Sequence, residues 1–219
     1  MQILEKGLLI AFEGIDGSGL TTHSKLLNEK LNKLGYKSIY TKEPTNNEIG
    51  ILIQKIILDK NKKLDNNIIA LLFAADRLYH LMYGDGANEG ILSYISKNYI
   101  VISDRYKYSN MAYQGDDINW ISQLNKFAIE ADIIIYLDVP LDVALKRISM
   151  RSSVSIFENK IFLEKVKNRY NDILRLANKN GVKVVVINEI ADNNREKSID
   201  EVSEEILKNI INILRNFKK

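Results

Sequence analysis

Leu8-Leu9-Ile10-Ala11-Phe12-Glu13-Gly14-Ile15-Asp16-Gly17-Ser18-Gly19-Leu20-Thr21-Thr22 runs from an apolar strand through a glycine-rich loop into a helical pattern. The apolar half lacks polar alternation, which suits a strand covered on both faces. Gly14 and Gly19 stand at the spacing of a phosphate-binding loop, with Thr21 where a metal-coordinating hydroxyl belongs. Glycines permit the tight backbone path, several N–H groups converge on phosphate oxygens, and the following helix aims its positive end at them. The motif carries lysine at position 20, and this chain has Leu20. That lysine is a point charge for the outer phosphates, and losing one such stabiliser costs on the order of 3 kcal/mol in the transition state. The plain alternative is a turn that only joins strand to helix.

Outward from this loop, short β-rich runs alternate with longer helical stretches. Strands are expected over 7–13, 37–42, 99–104, 132–138 and 183–188. Helices are expected over 20–34, 48–58, 66–82, 86–97, 118–130, 141–150, 159–179 and 198–217. Strand and helix in alternation predict an α/β fold, a three-layer sandwich with a five-stranded parallel sheet between helices. No repeat, low-complexity segment or long linker divides the chain, so residues 1–219 read as one domain, with a polar flap near 149–159.

Composition narrows the classes. At 46% hydrophobic residues the chain can bury a core, and a net charge of +3 suits a phosphate-bearing partner without marking a nucleic-acid binder. There is no cysteine, so disulfides and thiolate metal sites are excluded. No apolar run approaches the roughly 18 residues of a membrane span, and no signal peptide is visible, so a cytoplasmic protein is expected.

Two further segments carry chemistry. Phe73 and Arg77, four apart in Phe73-Ala74-Ala75-Asp76-Arg77, project from one helix face, where a ring and a guanidinium can hold a nucleobase. His80 is expected at the helix surface. The strand over 99–104 ends in Asp104-Arg105-Tyr106 and leads to Ser109, Asn110, Tyr113 and Gln114. Ligands of α/β sheets gather beyond the carboxyl ends of strands. Asp104 can there hold Mg²⁺ through its water shell, and Arg105 can grip a phosphate with two donors.

The loop, the Phe73–Arg77 segment and Asp104-Arg105-Tyr106-Lys107-Tyr108-Ser109-Asn110-Met111-Ala112-Tyr113-Gln114-Gly115 together resemble the thymidylate kinase family. The resemblance runs over about residues 7–176. It implies a P-loop fold, Mg²⁺ with ATP as cofactor, dTMP as acceptor, and a homodimer through a helical face that includes helix 66–82. It further implies ATP phosphates on Gly14, Ile15, Asp16, Gly17, Ser18, Gly19, Leu20, Thr21 and Thr22, with metal at Thr21 and Asp104. By the same resemblance Phe73 is expected to stack on thymine, Arg77 to meet its carbonyl edge, and Arg105 to hold the acceptor phosphate. The resemblance also implies that Asp16 helps position acceptor and metal and that Asn110, Tyr113 and Gln114 line the deoxynucleotide pocket, while Ser109 adds hydrogen bonding at the mouth of the same cleft.

Several positions depart from the family pattern. Besides Leu20, the Glu43-Pro44 turn continues with Thr45-Asn46-Asn47 instead of glycines, and Gln54 stands near the place of an arginine that approaches the acceptor phosphate. The flap keeps Phe157-Glu158 without the arginine that precedes it in many members. Arg147, which matches a nucleotide-contacting arginine, and Arg151, four residues on, are the expected replacements for the missing positive charge. A kinase relaxed enough to take dUMP, and an inactive nucleotide-binding relative, are the alternatives.

Overall fold

A computed structural model of the chain describes residues 6–59, 64–150, 157 and 159–216. Five strands, β1 (Leu8–Glu13), β2 (Ser38–Lys42), β3 (Ile100–Asp104), β4 (Ile133–Asp138) and β5 (Lys183–Asn188), pair in parallel in the order β2-β3-β1-β4-β5. The helices among the described residues are α1 (Leu20–Lys33), α2 (Glu48–Leu58), α3 (Asn66–Tyr83), α4 (Ile91–Ser96), α5 (Lys107–Gln114), α6 (Ile118–Leu124), α7 (Leu141–Ser149), α8 (Lys160–Lys179) and α9 (Ile199–Asn216).

The two-residue period of the strands divides their side chains between two cores. Leu8, Ile10 and Phe12, with Ile100, Ile102, Ile133, Ile135 and Leu137, meet Leu27 and Leu31 of α1 and Val202, Ile206, Ile210 and Leu214 of α9. Leu9, Ala11, Val101, Ile134 and Tyr136 face the other way, onto side chains of α3, α5, α7 and α8. Both faces are therefore covered, which is why these strands could dispense with polar alternation. Each fully buried Leu or Ile contributes roughly 1.5–3 kcal/mol. The order places β1 centrally, so the loop that follows it opens between β3 and β4. This is the three-layer P-loop architecture expected.

Three elements differ from expectation. The helix expected over 86–97 begins only at Ile91, because Asp85 accepts from the N–H groups of Ala87 and Asn88 and stabilises a turn instead. The helix expected over 118–130 stops at Leu124, where Asn125 turns its side chain inward. Helix α5 was not anticipated: it is only eight residues long, and its polar residues Lys107, Ser109, Asn110 and Gln114 are buried with the rest, so they do not mark a solvent face. Of the expected flap, Ser149, Met150, Phe157 and Asn159 are described, whereas Arg151 and Glu158 lie outside the described residues.

Leu214 is fully buried beneath the sheet. Leu214→Ala is expected to lower the free energy of urea unfolding by about 3 kcal/mol, from lost burial and the cavity left behind.

Candidate active site

At the carboxyl end of β1 the chain must turn sharply to start α1. Gly17 and Gly19 take φ of +86° and +79°, and a Cβ on Gly17 would come within 2.5 Å of the Ala144 carbonyl oxygen on α7. The loop borders a cavity of about 250 Å³ lined by residues 15–22 with Lys42, Glu43, Pro44, Asp104 and Arg105. Ile15 and Leu20 turn their side chains into the two cores, 1% and 6% exposed. Leu20 thus adds to the packing under the loop, in the core shared by α1 and α9. Ser18 keeps a buried hydroxyl without a protein partner.

Thr21, in the first turn of α1, donates to Asp104 Oδ2 at 2.5 Å, and the Tyr40 hydroxyl reaches the same oxygen at 3.3 Å. A hydroxyl beside a carboxylate is a hard-oxygen donor pair suited to Mg²⁺. Among the described residues no cluster of three or more His, Cys, Asp or Glu could enclose a metal. The pair therefore fits an ion that keeps waters and phosphate oxygens as its other ligands.

Arg105 follows directly, at φ +71°, a left-handed conformation that costs about 1–2 kcal/mol for a residue with a Cβ. Its guanidinium spans the site. Nη1 donates to the Gly14 carbonyl at 3.0 Å and to Ser109 Oγ at 3.1 Å, while Nη2 donates to Asp16 Oδ1 at 2.6 Å. It lies over the Tyr113 ring, whose hydroxyl accepts from the Asp16 N–H at 2.9 Å.

Beyond Arg105 lies a second cavity, of about 320 Å³, with Phe73, Arg77, Tyr106, Ser109, Asn110, Tyr113, Gln114 and Phe157 among its walls. Arg77 is 1% exposed and pairs with Glu43, Nη2 to Oε2 at 2.7 Å. Its Nη1 donates to Asn125 Oδ1 at 2.5 Å. Asn110 holds the Gln114 carbonyl oxygen, so the buried Gln114 Nε2 is left without a partner. Such a donor asks for an acceptor from a ligand. Tyr113 packs edge-on against Phe157 and Phe162, bringing the flap's phenylalanine into the wall. Asp16, Lys42, Glu43, Pro44 and Arg105 border both cavities.

The structure brings together the loop residues, Asp104, Arg105, Ser109, Asn110, Tyr113, Gln114, Phe73 and Arg77. Arg147 stands apart from the cavity: it donates to the Gly17 carbonyl at 3.3 Å and pairs with Glu189 at 2.6 Å. His80 is not at the surface as expected. It is 1% exposed, with Nε2 2.6 Å from Thr41 Oγ1 and Nδ1 3.2 Å from Glu43 Oε1. Gln54 donates to the Thr45 carbonyl at 2.8 Å, fixing the turn after Pro44. The sequence reasoning missed Lys42, Glu43 as the partner of Arg77, Asn125 and Glu13. Of these only Glu13 gave a signal, as the single charge in an apolar strand.

A glycine loop between a central parallel strand and a helix, facing a second pocket across an arginine, defines a nucleotide-binding phosphotransferase class of P-loop protein. Residues 12–206 match the family model described as Thymidylate kinase. A Methanococcus aeolicus protein named "Probable thymidylate kinase" is 44% identical over 208 residues, 92% of this chain and 95% of its own. A Pyrococcus horikoshii protein of the same name is 43% identical, over 78% of this chain and 83% of its own. The solved thymidylate kinase of Candida albicans superposes with a TM-score of 0.77 at 26% identity, covering 97% of this chain and 94% of that one. The chain belongs to the thymidylate kinase family.

Glu13 lies wholly buried beneath the site. Its Oε2 accepts from Ser109 Oγ at 2.5 Å and the Tyr170 hydroxyl at 2.9 Å, and its Oε1 accepts from the Tyr106 N–H at 2.9 Å. Burial raises its pKa from the ordinary 4.5 to about 7, although these donors and Arg105 oppose the rise. The folded protein thus holds this proton more tightly than the unfolded chain does. The associated stability is complete below about pH 4.5 and is lost as pH rises through about 7. The loss has an upper bound of about 3 kcal/mol. Glu13→Gln is expected to gain stability relative to the parent between about pH 5 and about pH 8, measured by urea unfolding. A difference that stays constant with pH would count against this account.

Proposed function

We propose that the chain transfers the γ-phosphoryl group of ATP to dTMP, giving ADP and dTDP, as one catalytic unit over residues 1–219. The observation that carries this reading is the wall common to the two cavities, where a phosphate loop and a base-sized aromatic pocket meet at Asp16 and Arg105.

The loop from Gly14 to Thr22 holds the ATP phosphates through its N–H groups and the start of α1. Ile15 and Leu20 contribute backbone only. Thr21 and Asp104 would hold Mg²⁺, which would neutralise charge on the outer phosphates. Arg147 steadies the loop on the donor side through the Gly17 carbonyl. Across the wall Phe73 stacks on thymine, and Arg77 and the free amide of Gln114 donate to its carbonyls. Ser109 and Asn110 fix Arg105 and Gln114, and Tyr113 crowds the position of a 2′-hydroxyl. Arg105 grips the acceptor phosphate, and Asp16 orients that arginine.

The acceptor oxygen attacks the γ-phosphorus in line while the bond to the β-phosphate oxygen breaks, and ADP carries the electron pair away. The acceptor phosphate is already ionised, so no general base is required. The chain contributes positioning and electrostatic stabilisation. Arg151, expected from the sequence to add positive charge at the transferring group, lies outside the described residues.

The working form is a homodimer. On α2 and α3, Leu52, Leu71, Tyr79, Met82 and Tyr83 are 43–69% exposed, an apolar surface suited to a second copy. No described helix is long and apolar enough to cross a membrane. With its nucleotide substrates and cysteine-free chain, a cytoplasmic setting fits, with neither nucleic acid nor membrane as a partner.

A coupled ADP-release assay with ATP and dTMP, dUMP, dCMP or dGMP is expected to favour dTMP. The dUMP rate should trail by about 10–200-fold, the value of one methyl in an apolar pocket. Absence of ADP release with every acceptor would refute the reading. Light scattering is expected to give a dimer for the parent and a monomer for Leu71→Glu with Tyr79→Glu, since two buried carboxylates at an apolar contact cost several kcal/mol.

A further inference from the structure

The shared wall carries two cations, Lys42 and Arg105. Arg105 is already committed to Gly14, Asp16 and Ser109. Lys42 is exposed and, among the described residues, has no hydrogen-bond or ion-pair partner. It is the last residue of β2, in register with Asp104 at the end of β3. Strand alternation puts Lys42 on the same face as Tyr40, whose hydroxyl reaches the Asp104 oxygen held by Thr21. Thr41 between them points the opposite way, to His80 and Asp85. One pleat beyond Tyr40, Lys42 therefore ends β2 on the side of the sheet that carries the Thr21–Asp104 pair, and it lines both cavities.

Leu20, in contrast, has its side chain in the core below the loop. The position that holds a cation elsewhere in loops of this type is used here for packing, while an uncommitted cation stands across the cavity. Resting on the phosphotransfer reading above, we infer that Lys42 is a catalytic cation of this chain, its ammonium contacting the γ-phosphoryl oxygens in bound ATP and throughout their transfer. A lysine delivered by a neighbouring strand has precedent, since protein kinases take theirs from a strand. Lys42 transfers no proton: it neutralises charge on the phosphoryl oxygens as the bond to the acceptor forms and the bond to ADP breaks.

Lys42→Met, which keeps length and removes charge, is tested beside Lys42→Arg and Lys25→Met. Lys25 lies 5.4 Å over the Tyr40 ring on the same face but lines neither cavity. Lys42→Met is expected to lower kcat by about 100-fold or more with KM for dTMP within about threefold. Lys42→Arg should recover at least about tenfold of that loss, and Lys25→Met should stay near the parent. A Lys42→Met kcat within about threefold of the parent, a loss confined to KM for dTMP, or an equal loss in Lys25→Met would each overturn the inference. Calorimetry with ADP and its β,γ-imido triphosphate analogue separates this from the functional reading. Parent protein that phosphorylates no deoxynucleotide refutes the reading, whereas Lys42→Met that keeps the parent's preference for the triphosphate analogue refutes the role of Lys42 even then.

Discussion

The guanidinium of Arg105 donates to a carbonyl of the phosphate loop, to the loop's own carboxylate and to a hydroxyl on α5, so it ties the loop to a stretch of chain about ninety residues away. Holding them at hydrogen-bond distance fixes the separation between the two cavities, and in-line transfer depends on that separation. The left-handed backbone at Arg105 opposes this arrangement, so the surroundings must overdetermine it. They do so from beneath. Glu13 accepts hydrogen bonds from the Ser109 hydroxyl and the Tyr106 N–H, tying the start of α5 to the strand that bears the loop.

A second layer of buried charge shapes the base pocket. Arg77 would be costly at 1% exposure without a partner, and Glu43 answers it while also meeting His80. His80 in turn contacts Thr41, and Asp76 takes both the N–H and the hydroxyl of Thr45. One face of α3 thus organises the end of β2 and the turn after Pro44. Its neutral and ionic bonds are mutually satisfied, which gives the pocket a defined shape.

Much of this was legible in the chain. The loop spacing, the five apolar runs and the Phe73–Arg77 pairing depend on local periodicity, and periodicity survives in a sequence. Helix α5 was not legible, because it is two turns long and its polar side chains are turned into the site rather than toward water. His80 was misjudged because a surface histidine and one bonded to Thr41 look alike until β2 and α3 are packed together. Lys42 depends on register: only the pairing of β2 with β3 sets it beside Asp104. The consequence of Leu20 could be stated from sequence as a lost charge, but its place in the core needed the fold.

Tyr170 meets Glu13 across 157 positions of chain, Tyr113 meets the loop across 97, and Arg105 meets Asp16 across 89. Closing such long loops is entropically expensive and is repaid only when intervening elements have docked. The active centre is accordingly assembled from some of the most sequence-distant partners in the molecule, after the central strand has acquired neighbours on both sides. A nascent or truncated chain lacking α8 has no finished centre to offer, so affinity for nucleotide reports completion of the whole fold.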